Sequence, residues 1–281
     1  MIKHIAVALD GSAHAAAAEK LAASLALRVR GVVHGIHVVD ATFLEGAFIT
    51  DISGAMGFEP FLNLQSQMRA TLDEVAESIR RDFTERCGSA GVECRFHLER
   101  SGVAHGILAA SKLADLLVVG QRGVNARFHE DLLGATTETL LRRSQVPVVV
   151  APLQASLPAR PLVAYDGSPK SVRGLQQAAE LARALALGLT VVTVDAASER
   201  ARERLQEAAG YLAPYDAQVE YVPRTGEAVE EELLAMLGPD RHDLVFLGAH
   251  GHRRIVELVL GSTSQYLARR SPVPVWCVTR V

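Results

Sequence analysis

The chain has 281 residues, 49% of them apolar and 22% charged, a balance that fits a folded chain of about two ordinary domains and excludes a disordered or fibrous one. Lys and Arg number 29 against 32 Asp and Glu, a net charge of -3 that lacks the basic excess of a dedicated nucleic-acid binder. No apolar run approaches the roughly 18 residues of a membrane span, and the three cysteines, Cys87, Cys94 and Cys277, form no C-x-x-C pair and leave one unpaired in any disulfide scheme, so no membrane is expected and the expected address is the reducing cytoplasm.

The first short β-branched run, residues 2–9, ends in Asp10-Gly11-Ser12 and predicts a strand leading through a turn into a helix. Further strands are predicted near 31–39, 92–98, 115–119 and 146–150, with Ala/Leu/Glu/Arg-rich helices between them. Thr42–Leu64 interrupts this order and holds Phe43, Phe48, Phe58 and Phe61, four of the 8 Phe in the chain. Rings at that density want a surface to cover, either the crevice of the first domain or another subunit. Residues 151–160 contain two prolines and no periodicity, and mark a boundary between domains 1–152 and 160–281. The order then restarts, with strands predicted near 161–165, 189–194, 217–222, 243–248 and 273–279.

The restart is a duplication. Ile5–Ser12 recurs as Pro161–Ser168, Leu116–Gly120 as Leu244–Gly248, and Arg143–Val148 as Arg270–Val275, all in the same order. Asp10 to Val38 and Asp166 to Val194 are equally spaced, whereas Val38 to Gly102 takes 64 residues and Val194 to Gly226 takes 32, so the first copy carries an insertion at 42–64. Strands alternating with helices in each copy read as an α/β fold with a parallel sheet covered on both faces.

Chemistry concentrates after the fourth strand of each copy. In the second, Gly248-Ala-His-Gly251 is followed by nine residues and then Gly261-Ser262-Thr263-Ser264 entering a helix. Glycines admit close approach of a ligand, free N–H groups at a helix start favour an anion such as phosphate, and Ser262 to Ser264 add hydroxyls. Open parallel sheets bind ligands at the carboxyl ends of their strands, where Asp10 and Asp166 fall. Taken singly, Asp-Gly-Ser reads equally as a capped turn and Gly261-Ser262 as a plain helix start. Arg122, Arg127, Arg253 and Arg254 read either as phosphate-neutralising or as solvated loop residues, and His105 as an ordinary first-turn helix residue. His250 and His252 have no Cys or acid at ligand spacing, so they predict no metal site. Nothing matches G-x-x-x-x-G-K-S/T, so fast phosphoryl transfer is not expected.

These motifs resemble those of the universal stress protein family, whose nucleotide-binding members carry G-x-x-G, nine residues, then G-S/T. The second copy fits residue for residue, and the likeness extends through both halves to Val146-Pro147-Val148 and Val273-Pro274-Val275. It implies two fused modules, each an open parallel five-stranded sheet of order 3-2-1-4-5 with helices on both faces, and ATP as ligand. Gly248, Gly251, Gly261, Ser262 and Thr263 would then hold phosphates and ribose. Val194 would offer main-chain hydrogen bonds to adenine, Ala164 would line the same wall, and Asp166 would lie beside the ribose or a phosphate-bound Mg. The first copy departs, with ten residues between Gly123 and Gly134 and with Ala135 in place of the first hydroxyl. Its candidates are Asp10, which would lie beside the corresponding Mg, Val38, Gly120, Gly123, Gly134, Ala135 and Thr136. The family also implies that the edge strands 146–150 and 273–279 pair the two halves into a pseudo-dimer, leaving homo-oligomerisation or a protein partner to other surfaces. The reading is an ATP-binding regulatory module of a stress response, probed against a slow ATPase or self-phosphorylating protein using Asp166 and against a ligand-free scaffold.

Overall fold

The computed structural model describes residues 2–40, 58–124, 132–215, 217–248 and 260–279, with side chains omitted at 58–65. In the first half β1 (His4–Ala8), α1 (Ala13–Val29), β2 (Val32–Asp40), α2 (Phe58–Ser89), β3 (Cys94–Ser101), α3 (Val103–Ser111), β4 (Leu116–Gly120), α4 (Ala135–Arg143) and β5 (Val148–Ala151) follow one another. The second half repeats the pattern as β6 (Pro161–Ala164), α5 (Pro169–Leu185), β7 (Leu189–Asp195), α6 (Ser198–Leu212), β8 (Val219–Thr225), α7 (Val229–Met236), β9 (Leu244–Gly248), α8 (Ser262–Arg270) and β10 (Val275–Val278).

The strands form one sheet in the order β3-β2-β1-β4-β5-β10-β9-β6-β7-β8. Each half is parallel with the predicted order 3-2-1-4-5, and the two meet where β5 and β10 pair antiparallel, Val275 with Val150, Trp276 with Val149 and Cys277 with Val148. The two expected sheets are therefore one continuous mixed sheet. Its central strands are buried on both faces, which is why Leu116–Val119, Val148–Ala151, Leu244–Leu247 and Val275–Val278 read as unbroken apolar runs. Leu21, Phe83, Leu181 and Leu205 from α1, α2, α5 and α6 build the core on one face. Ile107, Leu140, Leu233 and Leu267 from α3, α4, α7 and α8 build it on the other.

The Asp-Gly-Ser turns serve both halves alike. Gly11 and Gly167 take φ of +78° and +76°, values strained for any side chain, and so turn the chain sharply out of β1 and β6. The hydroxyls of Ser12 and Ser168 then accept the N–H of Ala15 at 3.1 Å and of Ser171 at 3.2 Å, capping α1 and α5. α2 has 32 residues where its counterpart α6 has 15. The last seven residues of the aromatic segment are thus the opening turns of α2. Phe43 and Phe48 lie outside the described residues, as do the side chains of Phe58 and Phe61. Farther along, Arg86 binds the nearly buried Glu19 of α1 through Nε at 2.8 Å and Nη2 at 2.7 Å, fixing α2 against α1. Among the described residues no helix is long and apolar enough to cross a membrane.

Candidate functional site

In a sheet of order 3-2-1-4-5 the chain leaves β1 and β4 toward opposite faces, and a crevice opens between their carboxyl ends. In the first half this crevice is a cleft of about 680 Å³, within the usual size of a small-molecule site. All seven residues expected there, Asp10, Val38, Gly120, Gly123, Gly134, Ala135 and Thr136, line it. Val103, Ile107, Val119 and Leu133 supply apolar walls.

Backbone geometry explains most of the polar character of the cleft. Gly120 ends β4 against the start of α1, where an added Cβ would stand 2.9 Å from the main-chain carbonyl carbon of His14, so the strand can approach only without a side chain. Gly134 caps α4 with no side-chain acceptor, and its N–H is used by the carbonyl of Gln121 at 3.1 Å. The N–H groups of Ala135, Thr136 and Thr137 therefore have no intrahelical acceptor, and the positive end of the helix dipole meets the cleft there. Thr137 turns its hydroxyl inward to the carbonyl of Gly120 at 2.8 Å, tying the helix start to the strand end.

A second open backbone edge lies on β2. Val33 donates to the carbonyl of Glu93, so odd-numbered residues of β2 bond toward β3 and even-numbered ones toward β1. The last rung on the β1 side runs from the N–H of Leu9 to the carbonyl of Ile36. The chain then turns away at Asp10, so the N–H and C=O of Val38 point into the cleft with no further strand residue opposite them among the described residues. The carbonyl of Leu9 is occupied by His37 Nδ1 at 2.8 Å. The second half repeats this construction: Tyr165 donates to Val192, Thr193 Oγ1 binds the carbonyl of Tyr165 at 2.8 Å, and Val194 takes the place of Val38.

Charged groups line the cleft where β1 and β4 end. Asp10 accepts the N–H of Ser12 on Oδ1 at 2.9 Å and that of Val124 on Oδ2 at 3.2 Å, so the carboxylate organises both the turn after β1 and the loop after β4. Arg122 lines the cleft and donates from Nε to the carbonyl of Leu132 at 3.2 Å. Burial, and secondarily the Arg122 charge, hold the His14 imidazole below its ordinary pKa against the opposing pull of Asp10. Asp40, two residues beyond Val38, also lines the cleft and was missed in sequence reasoning. Its signal was available, since side chains two apart on a strand share a face. Its counterpart in the second half is Ala196.

Ala164, Asp166, Val194, Gly248, Gly261, Ser262 and Thr263 occupy the matching strand and helix ends of the second half. Asp166 Oδ1 accepts the N–H of Ser168 at 2.9 Å, and a Cβ on Gly248 would stand 2.9 Å from Cβ of Lys170. Ser264 donates its hydroxyl inward to the carbonyl of Gly248 at 3.0 Å, as Thr137 does in the first half. This corrects the expectation of three ligand-facing hydroxyls, leaving Ser262 and Thr263. Gly251, His250, His252, Arg253 and Arg254 lie outside the described residues, as does Arg127. His105 is exposed in the first turn of α3, as expected of an ordinary helix residue.

The model of the universal stress protein family matches residues 1–152 and 160–279. A universal stress protein of Synechocystis sp. is 29% identical over 284 residues, covering 98% of this chain and 99% of the relative. A second, from Mycolicibacterium smegmatis, is 29% identical over 210 residues, covering 67% of this chain and 69% of the relative. The crystal structure of a universal stress protein from Archaeoglobus fulgidus shares the fold, with a TM-score of 0.72 at 21% identity over 99% of this chain and 96% of that one.

Proposed function

This chain belongs to the universal stress protein family, in a tandem form, and on that premise we propose that it is a cytoplasmic ATP-binding regulatory module whose two domains, 1–152 and 160–281, each hold one nucleotide. The observation that carries the reading is the convergence in one cleft of the free N–H groups at the start of α4 and the open peptide edge of Val38. A triphosphate needs the first and an adenine edge is matched by the second, while the apolar walls suit the flat base. Gly248, Gly251, Gly261, Ser262 and Thr263 with Val194, Ala164 and Asp166 form the corresponding second site.

Magnesium, when bound, neutralises phosphate charge. Asp10 and Asp40 line the first cleft and offer the hard oxygen donors that Mg prefers. Among the described residues no three His, Cys, Asp or Glu converge on a point, so Asp10 and Asp40 would hold such an ion together with phosphate and water oxygens. Ligand acts here by favouring one conformation or assembly, with leverage equal to its difference in affinity for the two.

The test is to denature freshly purified protein and identify what is released by adenine absorbance and mass, then to titrate the emptied protein with ATP and follow ADP over time. Saturable ATP binding without sustained ADP release is expected. Absence of both retained nucleotide and saturable binding overturns the reading, and steady multiple turnover replaces it with an ATPase.

A further inference from the structure

Three histidines far apart in the chain meet on the sheet face at the end remote from the cleft. His4 opens β1, His34 is the third residue of β2, and His97 lies in β3. His4 pairs with Val32 and His34 with Arg95, so each histidine stands diagonally across from the next, two residues along the neighbouring strand. Diagonal positions are within reach of long or aromatic side chains. His4 Nδ1 lies 3.1 Å from His34 Nε2, and His34 Nδ1 lies 3.4 Å from His97 Nε2. His4 and His97 are exposed and His34 is half-buried.

We infer that this row is a binding site for a first-row transition-metal dication, with His34 as the central ligand. A tetrahedral Zn2+ holds imidazole nitrogens at about 2.0–2.1 Å, which sets two of them about 3.3–3.4 Å apart. Both observed separations fall within a few tenths of an ångström of that edge. His34 presents opposite nitrogens to its two neighbours, so the three rings cannot share one ion, in keeping with the absence of any converging group of three ligands among the described residues. A neutral His34 has one lone pair and one N–H. It therefore joins either His4 or His97 in ligating the ion, and donates its other N–H to the remaining ring, the outer-shell hydrogen bond that orients ligating histidines. Water completes the coordination, as the exposure of the site permits.

The donor set defines the ligand class. Imidazole suits Zn2+, Ni2+ and Cu2+, whereas Mg2+ demands oxygen, so this site and any phosphate-bound magnesium in the cleft select different ions. Arg95 faces the row in register, and its charge is partnered by Glu93 at 3.3 Å. The second half has Arg160, Thr190 and Val222 at the equivalent places, so the site belongs to the first half. An ion here would tie β2 to β1 or β3 directly, and to the other strand through the hydrogen bond of the third histidine, while β2 carries Val38 and Asp40 at its other end. The inference does not depend on nucleotide binding.

The experiment is a calorimetric titration of tag-free, chelator-stripped protein with Zn2+, with imidazole nitrogen shifts followed by NMR and Mg2+ as control. One Zn2+ per chain is expected, with the shifts concentrated on His34 and no response to Mg2+. His34→Ala and the size-preserving His34→Gln should each weaken binding by more than about 100-fold, because a ligand is lost. His4→Ala and His97→Ala should each weaken it by about tenfold or more, since each removes either a ligand or the partner that orients one. Failure of the wild type to take up Zn2+, or uptake unchanged in both His34 variants, overturns the assignment.

Discussion

Replacing Gln121 with alanine should loosen the junction between the halves while leaving each half's own core intact. The side chain follows Gly120, is 6% exposed, and crosses the seam to donate from Nε2 to the carbonyl of Ala268 at 2.9 Å and, more weakly, toward that of Ser271 at 3.5 Å. Both carbonyls lie at the carboxyl end of α8, where helical partners run out, so removing the amide leaves at least one of them buried and unpaired. That loss costs about 1–3 kcal/mol. Deleting the side-chain stem forfeits roughly another 0.8 kcal/mol per buried methylene, for about 2–4 kcal/mol in all. Gln121→Met keeps the volume and loses the donor, so it should show only the first part. At about 2–4 °C per kcal/mol for chains of this size, thermal scans should register roughly 4–16 °C for the alanine variant and less for methionine. The main-chain carbonyl of Gln121 also accepts the N–H of Gly134, so nucleotide affinity is measured on the same samples. If Gln121→Ala stays within about 0.5 kcal/mol of wild type, the range of an ordinary surface change, the amide does not hold the seam.

The two nucleotide sites should be unequal. Ser262 adds a hydroxyl donor where Ala135 has none, worth about 1.5–3 kcal/mol toward a charged group and less where solvent reaches, so the second site is expected to bind ATP about tenfold tighter or more. Bulky substitution at Gly261 should abolish the tighter phase of a calorimetric titration and substitution at Gly134 the weaker one; equal affinities in the two variants refute the asymmetry. Trp276, the single tryptophan, is 2% exposed beside Phe246 with ring centroids 4.9 Å apart, and Trp276→Ala should cost about 3–5 kcal/mol in chemical denaturation. In the intact protein its emission should shift to the red at the same denaturant concentration at which circular dichroism is lost, whereas an earlier shift would mean that the seam opens before the halves unfold. Asp10→Ala removes the acceptor for Ser12 and Val124 and should lower stability by about 1–3 kcal/mol even without nucleotide or metal; an unchanged melting midpoint in the nucleotide-free protein would assign Asp10 to ligand alone.

Much of this protein was legible in its sequence because the relevant signals are local. Unbroken apolar runs such as Leu116–Val119 betray strands buried on both faces, Asp10-Gly11-Ser12 betrays a turn that glycine makes possible and serine caps, and the recurrence of both after residue 160 reveals two modules. Gly120 and Gly134 stood out as glycines after a strand and before a helix, at the strand ends where open α/β sheets bind ligands, while the strand order and Val38 came from the family resemblance. Other features depend on contacts between distant segments. Ser264 resembles a ligand donor beside Ser262 and Thr263, yet helical geometry turns its hydroxyl toward Gly248. Gln121 meets Ala268 across 147 residues, and His34 meets His4 and His97 across 30 and 63. Local periodicity states which face of a strand a side chain occupies, but the register and the antiparallel seam decide which side chain stands beside it, and hydrogen bonding and ligand geometry are properties of those neighbours.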